Sequence, residues 1–460
     1  MAKKIFVKHI LLADGWAENV LIEIDEFGII AKLSKNQVLT SDFEGERVSG
    51  SIIPAMVNNH SHAFQWAMAG LAEQSGKGKD SFWSWRKIMY DFVGKISPDD
   101  LEAIASALYM QMLKAGYTSV GEFHYLHHDI SGSQFANPAE MSQRIFAAAQ
   151  NTGINVTLLP VFYRYSGFGQ QAPNDGQKRF IHSKEDYAKL LNLVARLADK
   201  YKQNFGIAPH SLRAVSEADI HYAINQLNEL DANAPIHIHI AEQLKEVEDC
   251  QAHYGARPIE WLLDNFELNH RWCLVHATHM TYAEVKAVAD SNAVVSICTT
   301  TEANLGDGFF AMQDYKAHQG RWGIGSDSHI SVSATEELRW LEYQNRLLSH
   351  SRTVLTGGDF SSNGHYLWSR AAQGGAQSLN NQTGELTVGN KADFIELNNN
   401  SLPLLMKSNH ELIDSFIFNQ QSNQSIASVW CKGQKVVADG EHHAEQAIIT
   451  NFKKTLARLI

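Results

Sequence analysis

The chain has little cysteine. Only Cys250, Cys273, Cys298 and Cys431 occur in 460 residues, with no CxxC pair and no even disulfide ladder among them. A reducing compartment is expected, the cytoplasm. Long apolar runs are missing too. No stretch approaches the ~18–20 residues of a membrane span. The opening MAKKIFVKHILLADGWAENV is broken by Lys8, Asp14 and Gly15, which makes a poor signal peptide. Positive charge is short: 39 Lys and Arg against 50 Asp and Glu leave a net charge of −11. That argues against a nucleic-acid binder, because phosphate affinity needs clustered cations. There is no solenoid repeat, no low-complexity tract, and no GxGxxG after an early strand to mark a dinucleotide-binding sheet. What is abundant is histidine, with 22 residues, in a globular composition that is 44% hydrophobic and 19% charged. At roughly 150 residues per domain the length allows about three units, although a barrel absorbs ~250 in one.

Both ends of the chain read as short strands. KIFVKHILL and NVLIEIDEFGIIAKL open it; ELTVGNKADFIEL and SIASVWCKGQKVVADGEH lie near its close, each rich in Val and Ile and punctuated by turn residues. The two ends are expected to pair into one small β domain, a β-sandwich made of residues 1–50 and 381–460 with a terminal helix. The middle, residues 51–380, alternates strand and helix. SIIPAMVNNHSH, YTSVGEFHY, INVTLLPVFYR, FGIAPHS, APIHIHIAE, RWCLVHATH, NAVVSICTT and RWGIGSDSH make eight strands between His60 and Asp327. Helices separate them, with start signals at Ser97-Pro98, Ser216/Asp219 and Thr281/Glu284. Such alternation implies a parallel sheet, and eight units in this span fit an α/β protein of the (β/α)8 TIM-barrel class. The polar stretch AEQSGKGKDS, residues 72–81, is expected to be a mobile loop.

Catalytic side chains of such barrels sit at the C-terminal ends of the strands, and the polar clusters fall there. His60 and His62 end strand one, Glu122 to Tyr125 strand two, and His210 with Arg213 follow strand four. His237, His239 and Glu242 end strand five, His276 and His279 strand six, Asp327 and Ser328 strand eight. Spacing alone proves little, since about one His-x-His is expected by chance at this histidine content and two occur. Position counts for more: residues i and i+2 of a strand face the same way, so His60 and His62 both reach the barrel mouth. Imidazoles from strands one and five with a carboxylate from strand eight suit a divalent transition metal, and zinc is expected. Strands three and four carry no lysine that could bridge two metals, so one ion per chain is expected.

HSHAFQ, DSFWSWR, GIAPHSLRAV, HIHIAEQ, LVHATH, TEANLGDG and GIGSDSHIS, in this order, resemble the amidohydrolase superfamily and, within it, the formimidoylglutamate deiminase family of histidine degradation. The resemblance spans nearly the whole chain. Trp66 stands where an Arg is expected after HSHAFQ, and Thr299 where a Pro commonly precedes the TTEAN stretch. The resemblance implies that His60, His62, His239 and Asp327 hold zinc. It implies that Glu242, His276 and Asp327 handle protons, and that Gln65, Arg86, Tyr125, His210 and Arg213 bind substrate. It also implies a homodimer.

Residue chemistry agrees with that assignment. An acidic protein that binds an anion needs local cations, and two arginines can form charge-assisted, bidentate bonds with two carboxylates. The expected substrate is a small dicarboxylate amidine, formiminoglutamate, deiminated with release of ammonia. Two other readings stay open: an aminohydrolase of another amidine or a purine-type heterocycle, and a metal-free barrel scaffold. His124, His127 and His128 are read as structural or as supports behind the site residues.

Overall fold

The computed structural model describes residues 3–71, 73, 82–358, 360–419 and 422–460. Apart from Glu73, the expected loop at 72–81 lies outside them.

The eight middle strands form one parallel ring. In spatial order, strands five (Ile236–Ile240), six (Trp272–His276), seven (Val294–Ile297) and eight (Arg321–Ile324) lead to strand one (Met56–Ser61). Strands two (Tyr117–His124), three (Asn155–Phe162) and four follow it. Parallel strands in such a ring are covered on both faces, and strands one, two and three are buried at every residue, their polar ones included. Strand four is reduced to Asn204–Phe205 and Ala208–Pro209. Pro209 has no N–H to donate, and a Cβ on Gly206 would lie 2.4 Å from the Pro235 carbonyl. The ring still closes here. Ile207 bridges Ile236, and the Ile207 N–H donates to Pro235 O at 3.0 Å.

The end segments build a single eight-stranded mixed sheet. Its strand Glu46–Pro54 lies between Lys3–Leu12, to which it is parallel, and Phe394–Leu397, to which it is antiparallel. The apolar run SIIPAMVNNHSH, read above as one strand, is therefore two. It leaves the end sheet at Pro54 and enters the barrel at Met56, and at the joint the Ala55 N–H donates to Asp393 O. The end sheet thus anchors the base of the strand whose tip carries His60 and His62.

The helical start signals are realised. Ser97 with Asp100, Ser216 with Asp219 and Thr281 with Glu284 each form reciprocal capping boxes, a cap being worth ~1 kcal/mol. The terminal helix Glu445–Leu459 packs Ile448 against Ala107 and Met110 of helix Pro98–Lys114. Trp66 stacks on its Phe452, ring centroids 4.9 Å apart. That stacking occupies the position where the family resemblance expected an arginine. Thr299 donates through Oγ1 to the buried Glu337, fixing the turn after strand seven. Among the described residues no helix is long and apolar enough to cross a membrane.

Candidate active site

Strand ends one, five and eight deliver four ligand atoms to one point. His60 Nε2 lies 3.2 Å from His62 Nε2, 3.1 Å from His239 Nε2 and 3.3 Å from Asp327 Oδ1, and His62 Nε2 is 3.3 Å from the same Oδ1. All four residues are buried. The opposite ring nitrogens of two of them are spoken for: His62 Nδ1–H donates to Phe123 O at 2.8 Å and His239 Nδ1–H to His210 O at 3.2 Å. Those bonds fix the tautomer that leaves an Nε2 lone pair pointing inward. Burial holds His60 neutral, its pKa depressed to about 3. Lone pairs converging at about 3 Å repel unless a cation sits among them. Three imidazole nitrogens and one carboxylate oxygen are zinc chemistry, so the residues present fit the expected ion.

Left-handed backbone aims these groups. Ala241 (φ 52°), His276 (φ 70°), Ala277 (φ 48°) and Asp327 (φ 45°) follow or end their strands in a conformation non-glycine residues rarely adopt. Such strain persists only where neighbours over-determine it. The Asp327 N–H donates to His60 O, the Ala277 N–H to Ile240 O, and the His62 N–H to Asp327 O and His329 Nε2.

The proton-handling candidates surround the cluster. His276 Nε2 lies 3.8 Å from Glu242 Oε1 and 3.9 Å from Asp327 Oδ2. Asp327 thus offers one oxygen to the ligand cluster and turns the other towards His276. Burial works against a charge on His276, but Glu242, Glu302 and Asp327 outweigh it and raise its pKa well above the ordinary histidine value. Burial, reinforced by Asp327 and Glu246, pushes the Glu242 carboxyl upward, with His276 opposing.

Gln65, Arg86, Tyr125, His210 and Arg213 line the same cavity as His62, His239, Glu242, His276 and Asp327. Gln65 Nε2 donates to the Tyr125 hydroxyl at 2.8 Å. Gln65 Oε1 and Arg213 Nε are buried and make no hydrogen bond among the described residues, which leaves them available to a ligand. Arg86, on helix Phe82–Val93, packs its guanidinium against the Tyr90 ring at 5.5 Å. Every site candidate from the sequence therefore lines one cavity except His60, which is fully buried behind His62 and His239.

Other strand-end residues are elsewhere. His237 Nε2–H donates to Ser378 O beneath the barrel. His127 and His128 pack their rings against His182, each 4.6 Å from it, and His124 packs against His127, all four buried. These four histidines form one buried ring cluster. Sequence reasoning missed three supports. Glu246 accepts from the Ala241 and Glu242 N–H groups. His329 accepts from the His62 N–H and hydrogen-bonds Ser61 and Ser326. Glu302 accepts from His276 Nδ1–H. Glu302 and His329 both lie inside quoted motifs, TEANLGDG and SDSH, where position was the available signal. His276, Cys298 and Glu302 form a second metal-capable group. Its Nδ1 is already hydrogen-bonded, and burial with nearby carboxylates holds the Cys298 thiol protonated, far from the thiolate a metal needs.

Comparison with known proteins places these features in a family context. The amidohydrolase family model matches residues 51–436. A Pseudomonas aeruginosa protein named formimidoylglutamate deiminase is 46% identical over 99% of both chains. A Pyrococcus abyssi 5-methylthioadenosine/S-adenosylhomocysteine deaminase is 23% identical over 92% of this chain and 90% of its own. Among solved structures, an amidohydrolase from Brucella melitensis superposes with a TM-score of 0.93, at 44% identity over 99% of both chains. An adenosine deaminase from Xanthomonas campestris with bound zinc shares the fold, with a TM-score of 0.79 at 19% identity over 99% of this chain and 98% of its own.

Proposed function

We propose that this chain, which belongs to the amidohydrolase family, hydrolyses N-formimino-L-glutamate to N-formyl-L-glutamate and ammonia, a step of histidine degradation. The observation that carries the reading is one cavity bearing both a buried three-histidine, one-aspartate cluster and two arginines. A neutral heterocycle needs no pair of cations; a substrate with two carboxylates does. The 46% identical relative supports the same chemistry.

His60, His62, His239 and Asp327 would hold one zinc ion per chain. Bound there, zinc lowers the pKa of a water to about 7 and so makes hydroxide available at neutral pH. Arg86 and Arg213 grip the carboxylates, while Gln65, Tyr125 and His210 complete the wall. Asp327, with the oxygen that faces His276, accepts the proton of the attacking water. His276 Nε2 faces the developing oxygen. Addition to the formimino carbon leaves it bearing two nitrogens, one terminal and one attached to glutamate. The arginines hold the glutamate side of the molecule, which brings the small terminal nitrogen beside Glu242. Glu242 protonates that nitrogen on addition, the proton held by Asp327 follows it, and the nitrogen departs as ammonia while the O–H proton released on forming the formyl C=O recharges Glu242.

We also propose a cytoplasmic homodimer. Four buried free cysteines accord with a reducing compartment. Exposed Trp340, Leu347 and Leu348 on helix Ala334–Ser349 offer apolar surface for a second copy, and light scattering measures the mass.

Ammonia release from a substrate panel tests the activity: N-formimino-L-glutamate, formimino-glycine, adenosine and 5-methylthioadenosine, with products identified by mass. Formiminoglutamate is expected to lead by orders of magnitude. Preference for a nucleoside would replace this reading with a heterocycle deaminase. Formamide appearing with free glutamate would put the proton relay on the wrong side of the substrate.

A further inference from the structure

Three carboxylates crowd His276, and two of them have other work. Asp327 is shared with the ligand cluster and Glu242 faces the cavity. The third, Glu302, is 1% exposed and does not line the cavity. It sits in helix Thr299–Leu305, directly after strand seven. One oxygen, Oε1, does two things: it accepts from His276 Nδ1–H at 3.2 Å and from the Cys298 backbone N–H at 2.9 Å. The second bond matters because it locks the carboxylate to the helix start, and the helix is itself held by Glu337, which accepts from Thr299 Oγ1 and from the Thr300 N–H. Glu302 is thus a fixed acceptor, delivered by strand seven to a residue delivered by strand six.

His276 needs such an acceptor more than an ordinary core histidine would. Its backbone is left-handed, so strand geometry does not aim the side chain. Its Nε2 lies 3.8–3.9 Å from Glu242 and Asp327, beyond hydrogen-bond reach. Those two residues cannot orient the ring by direct bonds. Only Nδ1 is directly held.

We infer that Glu302 is the positioning residue for His276, resting on the deiminase reading above: it keeps the ring proton on Nδ1 and the ring plane fixed, so that Nε2 always faces the reacting atoms. The arrangement serves the neutral and the cationic ring alike, since both carry a proton on Nδ1. A neutral ring without this acceptor is free to move its proton to Nε2 or to rotate, and either change removes Nε2 as an acceptor aimed at the cavity. Glu302 does not line the cavity, so its reach to the reacting atoms is through His276, while its bond to the Cys298 N–H holds the helix start.

The test is a double-mutant cycle on the zinc-loaded full chain. Loss of a general acid–base group is typically worth ~10²–10⁴-fold, which sets the ceiling. Glu302→Met, which removes the acceptor, should lower kcat on formiminoglutamate by ~10²-fold or more. Glu302→Gln keeps an acceptor oxygen and should lose only about 10-fold, the lower range for an outer-shell partner. KM and zinc content should stay near the wild-type values, and the melting temperature should fall only in Glu302→Met, which leaves the buried Cys298 N–H without its acceptor. With His276→Ala already in place, either Glu302 substitution should change kcat by less than about twofold. The downfield proton resonance of His276 Nδ1–H, assigned by its loss in His276→Ala, should weaken in Glu302→Gln and vanish in Glu302→Met. Equal losses in both backgrounds, or loss of zinc along with activity, would overturn the assignment. Should Glu302→Met fail to fold, the Glu302→Gln cycle and resonance decide alone. Wild-type ammonia release is measured first: its failure rejects the deiminase reading, whereas failure of the cycle rejects only Glu302.

Discussion

Arg213→Met offers the sharpest test of how the cavity selects its substrate. Arg213 follows the broken fourth strand, lines the cavity, and has a buried Nε with no hydrogen bond among the described residues. Its guanidinium therefore has a fork edge available for a carboxylate. Charge-assisted hydrogen bonds contribute about 1.5–3 kcal/mol each. A bidentate pair whose two bonds are not fully additive comes to ~3–4 kcal/mol, or ~10²–10³-fold in kcat/KM. The loss should appear in KM and partly in kcat, because the same grip places the amidine. Arg213→Lys keeps the charge but not the planar fork, and should fall between the two. Arg213 also opposes the upward push of burial on Glu242 and Glu246. Its removal should therefore raise the Glu242 pKa and move the alkaline limb of the pH–kcat/KM profile, where Glu242 loses the proton it donates, to higher pH. The assay compares formiminoglutamate with formamidine, which has no carboxylate. A clamp predicts a large loss for the first and at most a few-fold change for the second. Equal losses for both would refute carboxylate binding and leave Arg213 a purely electrostatic role.

Three other outcomes are expected. His239→Ala should take zinc from about one per chain to near zero and abolish turnover; full metal content in that variant, or two tightly bound ions in the native protein, would contradict the ligand set. Glu242→Gln should keep its metal while kcat falls ~10²–10⁴-fold, and near-normal kcat would remove Glu242 from the proton relay. His182 is buried against His127 and His128 and its pKa is depressed to about 3 from 6.5. A depressed histidine stabilises the fold while neutral, so that stability is present above pH 6.5 and is lost as pH falls towards 3, where only the unfolded chain takes up the proton. His182→Phe should reduce the loss by up to about 1.4 kcal/mol per pH unit between pH 6 and 4, measured by denaturant unfolding; an unchanged slope would mean that His182 takes up no proton on unfolding.

The barrel was legible because buried parallel strands must be apolar along their length and then turn abruptly polar at the functional end. HIHIAEQ and GIGSDSH show that change within a few residues. The convergence of His60 and His62 was legible for the same reason: the i, i+2 rule aims both side chains together, and their Nε2 atoms lie 3.2 Å apart. The break at Ala55 was not legible, since an apolar strand in a sheet and one in a barrel look alike. Strand four was read as a strand from FGIAPHS, yet Gly206 and Pro209 reduce it to two short pairings. Glu302 was hidden by a different cause. A buried carboxylate that holds a histidine from another strand leaves no local pattern, because its partner is 26 residues away. Trp66 was visible as a departure, but its explanation, the stack on Phe452, lies in the terminal helix.

The pairing that anchors strand Glu46–Pro54 also sets a timetable for the growing chain. Leu397 pairs with Ser51 and Phe394 with Pro54, so the partner emerges about 340 residues later, ~20–70 s at ordinary synthesis rates. Until then, a strand whose Ile52 and Ile53 are fully buried in the finished protein has one open edge, and the base of the strand bearing His60 and His62 has no clamp. His60 and His62, the first two of the proposed zinc-holding residues to be synthesised, are thus among the last to be fixed. Closure over so long a loop is slow, which makes nascent chains of this protein candidates for chaperone capture in the interval.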